Sequence, residues 1–536
     1  MIDANTISHG SELAYDICII GGGAAGISMA KVFAETGVRI VILESGSEEF
    51  EEETQQLYEF TSTGHPLRSQ QGYISRNRYL GGSTNTWMGQ CAPLAEIDFK
   101  ARDWVKDSGW PFSKAALEPF YTEAAKLLKL PDYNIFDRSE WMKYLLENTE
   151  GFLRGGHIKP TTFLLANKAT NMRMSYLTEL EKNHNIDIIK YANVTDIQLD
   201  STESHVSQIT VSTLKQNQFY VRAQQNILAC GGLENARILL HCDRQHSTGL
   251  ANQHDVLGRY YMEHPKVMHG KLFPTSKTLR SPILMWKKRI SKQGHIRAYL
   301  RLSDEIQQKE GLLNHSIEVT YPHSIRDSLA YSEGFLRNLK LNKHFIHNLV
   351  KISPHFFTLL ENFEKLMLNN AVKFEHMVLN NHMEQEPNPA SRVTLGNEID
   401  KLGMRKLNQH LIIGSPEKES LIRTHVLLDE HLKKQNLGYI ESDFNSPNEN
   451  WDDVTDSSHH IGTTRMHTNP KFGYVDENCK VHGIRNLYVV GSSVFPTGGH
   501  VNPTLTIVAL AVRLARHLSS PFSDAETKKN HELSTV

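Results

Sequence analysis

The residues best suited to chemistry lie in the last fifth of the chain, in HHIGTTRM from His459 and VVGSSVFPTGGHVNPTLTIVALA from Val489. His459 precedes a Gly-Thr turn. Asn502 precedes Pro503 and the apolar run Leu505–Ala511, which continues at helical spacing to Leu518. A residue ahead of proline is driven toward extended backbone, so Asn502 should stand at the mouth of a helix, where free N–H groups face outward. An imidazole and an amide placed there can hold one alcohol oxygen, the ring accepting a proton and the amide donating a hydrogen bond. Two adjacent histidines in an extended segment cannot point the same way, so only one of His459 and His460 should face the reacting atoms.

An acceptor for electrons is announced at the other end of the chain. YDICIIGGGAAGISMAKVFAETGVRIVILESG reads as a strand over Asp16–Ile20, a glycine turn, a helix over Ala24–Thr36 and a strand over Val38–Leu43 that ends in Glu44. Gly21, Gly23 and Gly26 have the G-x-G-x-x-G spacing. The first glycine allows the tight turn, the second lets backbone approach a pyrophosphate, and the third lets helix pack on strand. The helix N-terminus attracts the phosphate charge, and Glu44 is placed to accept hydrogen bonds from ribose hydroxyls. This unit alone does not separate FAD from NAD.

Composition sets outer bounds. A chain of 536 residues is too long for one ordinary core, so two or more domains are expected. With 58 basic against 60 acidic residues, a dedicated nucleic-acid binder is not expected. The N-terminal MIDANTISHGSELA has no basic region, apolar core or twin arginine, and no apolar run approaches a membrane span. Five cysteines form no CxxC pair, and the 28 histidines show no metal-ligand spacing, so the expectation is a cytoplasmic, disulfide-free protein without metal.

The middle of the chain is a patchwork. Residues 204–240 end in NILACGGLENARILL, a buried strand, a Gly-Gly turn and a helix starting near Glu234. Residues 266–322 and 373–413 alternate like an antiparallel sheet (HGKLF, HIRAYLRL, NHSIEVTY, RVTLG). Between them, FLRNLKLNKHFIHNLVKI at 335–352 is helical in pattern and basic, which suits a helix covering the sheet or a peripheral membrane contact. The expected fold is α/β. A Rossmann-like dinucleotide-binding domain is assembled from 11–110, 205–265 and 455–520, and an α+β substrate domain with an antiparallel sheet comes from 111–204 and 266–454. Residues 521–536 are expected to be a disordered tail.

Taken together, these blocks resemble the glucose–methanol–choline (GMC) oxidoreductases, FAD-dependent alcohol oxidases and dehydrogenases. The resemblance runs over about 14–518 through the glycine turn with Glu44, RNRYLGGSTNTWMG, LACGGLENARILL, LGRYYMEHP, EQEPNPASRVTLG, HHIGTTRM and GGHVNPTLTI. It implies that the residue matching His459 is the catalytic base, with Asn502 beside it. It also implies that the glycine-rich block after Arg78 packs against the flavin and that Val194 meets the adenine through its backbone. The cofactor set expected from these blocks is Gly21, Gly23, Ala24, Ala25, Gly26, Glu44, Ser45, Arg78, Gly81, Gly82, Ser83, Asn85, Thr86, Trp87, Val194, Ala229, Gly491, Ser492, Pro503 and Thr504. Gly-Gly-Ser-Thr presents several bare N–H groups in succession, which suits an anion or a flavin edge.

Two departures from the family pattern matter. Thr86 stands where some members carry a histidine bonded to the flavin, so FAD is expected to be non-covalent. Gly491 stands where many carry aspartate. His500 is the rival base, two residues upstream of the aligned position. The implied reaction oxidises an alcohol to a carbonyl, by proton abstraction at His459 and hydride transfer to flavin N5. The block GGSTNTWMGQCAPLAEIDFKARDWVKDSGWPF resembles that of bacterial members acting on sugars or aminoglycosides, which implies a saccharide, glycoside or aminoglycoside hydroxyl; the basic segment 335–352 prompts a lipid-like alcohol at a membrane as the second reading. The electron acceptor, whether oxygen, a quinone or a redox protein, is left open. Other classes to weigh are an NAD-dependent dehydrogenase, a flavin monooxygenase and a non-catalytic nucleotide-binding protein.

Overall fold

A computed structural model describes residues 1–65, 75–131, 156–276, 294–320, 375–442 and 454–533, with a few positions between 277 and 293. The basic segment 335–352 lies outside the described residues. Three sheets organise the described residues. In the first, Glu12–Ile20 lies between Ile40–Leu43 and Gln218–Leu228, both parallel to it. Leu487–Val489 joins Gln218–Leu228, again in parallel. Apolar residues on both faces explain why these strands read as continuous hydrophobic runs: Ile17, Cys18, Ile19, Ile40, Val41 and Ile42 are all fully buried.

The register brings four carboxyl ends together. Ile20 pairs with Leu43 and with Leu228, and Leu228 pairs with Val489. Gly21, Glu44, Ala229 and the segment leading into Gly491 therefore leave one edge of the sheet, the edge where open α/β sheets bind ligands. The helix Ala24–Phe33 returns from that edge and packs on the helix Thr504–Leu533, which packs in turn on Lys114–Leu127.

The second sheet is antiparallel, ordered Gly438–Glu441, Lys266–Pro274, Met377–Met383, His315–Thr320, Gly294–Leu302, Ile158–Ala166 and Gln90–Cys91. Its existence matches the alternation read in 266–322 and 373–383. Arg392–Ile399 and Arg405–Leu411, expected in the same sheet, instead pair with each other and with Phe60–Gly64 in a separate three-stranded sheet. Alternation reports which face of a strand is buried, not which strand it pairs with. Ile186–Lys190 and Asn193–Leu199 belong to the first sheet, so the boundary drawn at 204/205 falls inside a continuous ladder.

The tail expected to be disordered continues the last helix to Leu533. Ala525–Leu533 contains good helix formers and no glycine, and polarity alone does not oppose helix. Among the described residues, no helix is long and apolar enough to cross a membrane.

Candidate active site

The glycine turn after Ile20 and the Gly-Gly turn at Gly81 lean directly on one another. Gly81 N–H donates to the Gly22 carbonyl at 2.8 Å. A Cβ on Gly82, whose φ is +53°, would stand 3.1 Å from Gly23 Cα, and one on Gly26 would stand 2.0 Å from the Gly21 carbonyl oxygen. Side chains are therefore excluded where the first turn meets helix and partner loop. Gly23 caps the helix Ala24–Phe33 without any side-chain hydrogen bond, leaving backbone N–H groups at the helix mouth for an anion. Bare N–H groups at a helix N-terminus, with side chains excluded around them, make a cradle that suits a dinucleotide's pyrophosphate.

Glu44 closes one side of the cradle. Its carboxylate is buried and accepts Gly22 N–H at 2.8 Å and Gly46 N–H at 2.9 Å, with the Ser45 hydroxyl at 3.2 Å. An ionised carboxylate has about four lone-pair sites, so acceptor capacity remains for ribose hydroxyls. Ala192 N–H donates to the Glu44 carbonyl, which sets the strand carrying buried Val194 beside it. Ala229 lies against Gly21, where an added Cβ would come within 2.8 Å of the Ala229 carbonyl oxygen.

Other residues of the expected cofactor set are tied into the protein itself. Arg78 reaches Glu234 at 3.2 Å and the Asn193 side-chain oxygen at 3.3 Å. Burial pushes the Glu234 carboxyl up, but Arg237, Arg78 and Arg76 hold it at about 2. Asn85 folds back onto the Leu80 and Gly82 carbonyls, Thr86 accepts from Asn77, and Trp87 donates to the Thr170 carbonyl. Ser83 carries the turn through its carbonyl, which accepts from Thr86 and Trp87. Gly491 adopts φ +125°, a conformation open to glycine and closed to aspartate, which accounts for the residue found there. Ser492 donates to the His460 carbonyl at 2.7 Å.

The structure brings His459 and Asn502 together. Asn502 Nδ2 lies 3.3 Å from His459 Nε2, just before Pro503 and the start of the helix at Thr504. His459 is partly buried, and its pKa is pushed well below the ordinary value chiefly by burial. His460 faces the other way, bonded to Glu263, Tyr261 and Ser75. His500 is buried, bonded through Nε2 to Thr161 at 2.9 Å, and is not part of the His459–Asn502 contact.

Sequence reasoning missed Glu263 and His264. His264 Nδ1 lies 2.8 Å from His459 Nδ1, and Glu263 accepts the His459 backbone N–H at 2.7 Å. The available signal was a Glu-His pair before Pro265 in an otherwise apolar stretch. Beside these residues the second sheet presents a polar face: His382 lies opposite Lys266, Asn380 lies opposite Glu318, and Glu318 is ion-paired with Arg297.

Residues 387–511 match the family model described as GMC oxidoreductase. A 2-methyl-1,2-propanediol dehydrogenase of Mycolicibacterium austroafricanum is 46% identical over 66 residues, covering 12% of each chain. A paromamine 6'-oxidase of Streptomyces fradiae is 29% identical over 151 residues, covering 27% of this chain and 26% of that one. These alignments span only a minor part of either relative's length. Pyridoxine 4-oxidase from Mesorbium loti superposes with a TM-score of 0.56 at 17% identity, over 94% of this chain and 99% of that one.

Proposed function

We propose that the chain, whose residues 387–511 match the GMC oxidoreductase model, is an FAD-dependent enzyme that oxidises a secondary or primary alcohol of a saccharide or glycoside to a carbonyl. The observation that carries this reading is the contact between His459 Nε2 and Asn502 Nδ2 at the mouth of the last helix. The glycine cradle, Glu44 and the Val194 strand would hold FAD, and Thr86 offers no ring nitrogen for a covalent link. When bound, the flavin supplies the acceptor for the two electrons and the carbinol hydrogen.

The protein's part is to make the alcohol a hydride donor. His459 Nε2 accepts the hydroxyl proton, and negative charge growing on oxygen weakens the carbinol C–H bond. Asn502 Nδ2–H donates to the same oxygen and stabilises that charge. The proton rests on His459, which becomes an imidazolium, while the C–H electron pair leaves the substrate and the C–O bond becomes a carbonyl. Burial lowers the His459 pKa and keeps the ring unprotonated and ready at neutral pH.

A polyhydroxylated substrate is favoured by the polar face of the second sheet near His459, where Lys266, His382, Asn380, Glu318 and Arg297 offer donors and acceptors in place of an apolar wall. The likeness to a paromamine 6'-oxidase supports the same class. Anaerobic mixing of the flavin-loaded protein with sugars, glycosides and long-chain alcohols tests the reading. Flavin bleaching is expected with saccharide donors. Bleaching by long-chain alcohols alone would replace the substrate class, and a purified protein without flavin absorbance would remove the cofactor.

A further inference from the structure

Met262–Pro265 runs antiparallel to His459–Ile461, and Met262 and Ile461 exchange two 3.0 Å backbone hydrogen bonds. That register sets Glu263 opposite His460 and His264 opposite His459, so one Glu-His pair meets one His-His pair across the ladder. Glu263 is fully engaged. Its carboxylate accepts the His459 backbone N–H at 2.7 Å, the Tyr261 hydroxyl at 2.9 Å and the His460 ring, and its own N–H donates to Gln385 at 2.8 Å. The backbone on which His459 rides is thereby fixed.

The ring of His459 is fixed by His264, and proton positions follow from the partners. His264 Nε2 lies 3.2 Å from the Gly498 carbonyl oxygen, which can only accept, so His264 Nε2 carries the proton. A neutral His264 then has a lone pair at Nδ1. The ring nitrogen 2.8 Å from it must be a donor, so His459 carries its proton on Nδ1. His459 Nε2 is left with a lone pair, and Asn502 Nδ2–H, at 3.3 Å, is the donor that such an atom requires.

We propose that His264 is a positioning residue which, with Glu263, locks His459 in the one tautomer whose Nε2 can take a proton from the substrate. The proposal rests on the reading of His459 as base. Burial pushes the His264 pKa down to about 4, so this acceptor stays neutral across the working range. After proton transfer His459 is doubly protonated, and its Nδ1–H still donates to His264. No proton has to pass through His264, which orients and stabilises the imidazolium in the way a third group orients the base of a catalytic triad. A protonated His264 would set N–H against N–H and release the ring. The titratable and charged groups around His459 are His264, His382, His460, Lys266 and Glu263.

Two amide variants separate the roles of the two His264 nitrogens. His264→Asn places a carboxamide oxygen near the position of Nδ1 and gives up the Gly498 contact. His264→Gln places an amide N–H near the position of Nε2 and gives up the Nδ1 acceptor. Stopped-flow flavin reduction by a responsive saccharide is measured across pH in the flavin-loaded full chain. His264→Asn should stay within about tenfold of the parent rate, with its acidic limb in place. His264→Gln should lose about 100-fold or more, with the limb moved to lower pH and the substrate dissociation constant little changed. The reverse ranking would show that His264 merely holds Gly498, and equal losses with an unmoved limb would show simple space filling; either overturns the proposal. Reduction at the parent rate in His459→Ala would overturn the base assignment itself, an outcome separable from both.

Discussion

A histidine kept neutral by burial is a weaker base than a free one but is unprotonated over a wider range. His459 sits in that position, its pKa lowered chiefly by burial. The acidic limb of flavin reduction should therefore fall below the ordinary histidine value of 6.5, and a limb at or above it in the flavin-loaded protein would contradict this environment. His459→Ala should lower the reduction rate by about 100-fold to 10,000-fold while flavin absorbance is retained, as read by stopped flow. Asn502→Ala should cost about 10-fold to 1,000-fold in the same assay, since one donor to the developing alkoxide is lost. Glu44 invites a different readout. Glu44→Ala removes the acceptor of Gly22 and Gly46 N–H, so flavin content per chain should fall. Full occupancy would show that the cradle does not depend on this carboxylate.

Among the elements, the helix Gly231–His241 lies directly against the catalytic segment. A Cβ on Gly232 would lie 2.1 Å from the His460 carbonyl oxygen, against backbone that is itself held by Ser492. Gly232→Ala should destabilise the protein by about 1–3 kcal/mol, measured by denaturant unfolding, and slow flavin reduction by displacing His459. Unchanged stability would mean that the helix can retreat. The same elements show what the sequence discloses. Ile17–Ile20 and Ile40–Leu43 are legible because buried parallel strands are apolar throughout, and Gly21 and Gly26 are legible because a Cβ there would strike backbone. The His459–Asn502 pair is legible because polar residues stand out in apolar blocks. Glu263 and His264 are not, because their meaning comes from a cross-strand pairing nearly two hundred residues away. The three-stranded sheet escapes for the same reason: Phe60–Gly64 finds Arg405–Leu411 through register that no local pattern encodes.

Across the whole molecule, buried histidines dominate the response to acid. His264 is held at about 4 and His315 at about 3, and His382, His425, His459 and His500 are all lowered, chiefly by burial. Between pH 6.5 and about 4 the unfolded chain takes up protons that the folded one refuses, so stability falls as pH falls. Asp98, raised to about 6, and Glu417, raised to about 7, act in the opposite sense, because folding there favours the protonated carboxyl. His241 and His467 are lowered as well and Glu386 is raised, so the histidines still outnumber the carboxyls, and thermal melts of the flavin-loaded protein at pH 7 and pH 5 are expected to show a lower Tm at pH 5. A higher Tm on acidification would sink this balance. The first sheet has one further consequence, which concerns synthesis. Its central strand Gln218–Leu228 pairs with Leu487–Val489, and the N-terminal helix Ala24–Phe33 rests on the helix that starts at Thr504. A ribosome delivers those partners last, so the glycine turn emerges hundreds of residues before the surfaces that bury it. Until the last fifth of the chain appears, the nascent protein carries an open strand edge and an uncovered apolar helix face, the two features through which partly made chains associate wrongly.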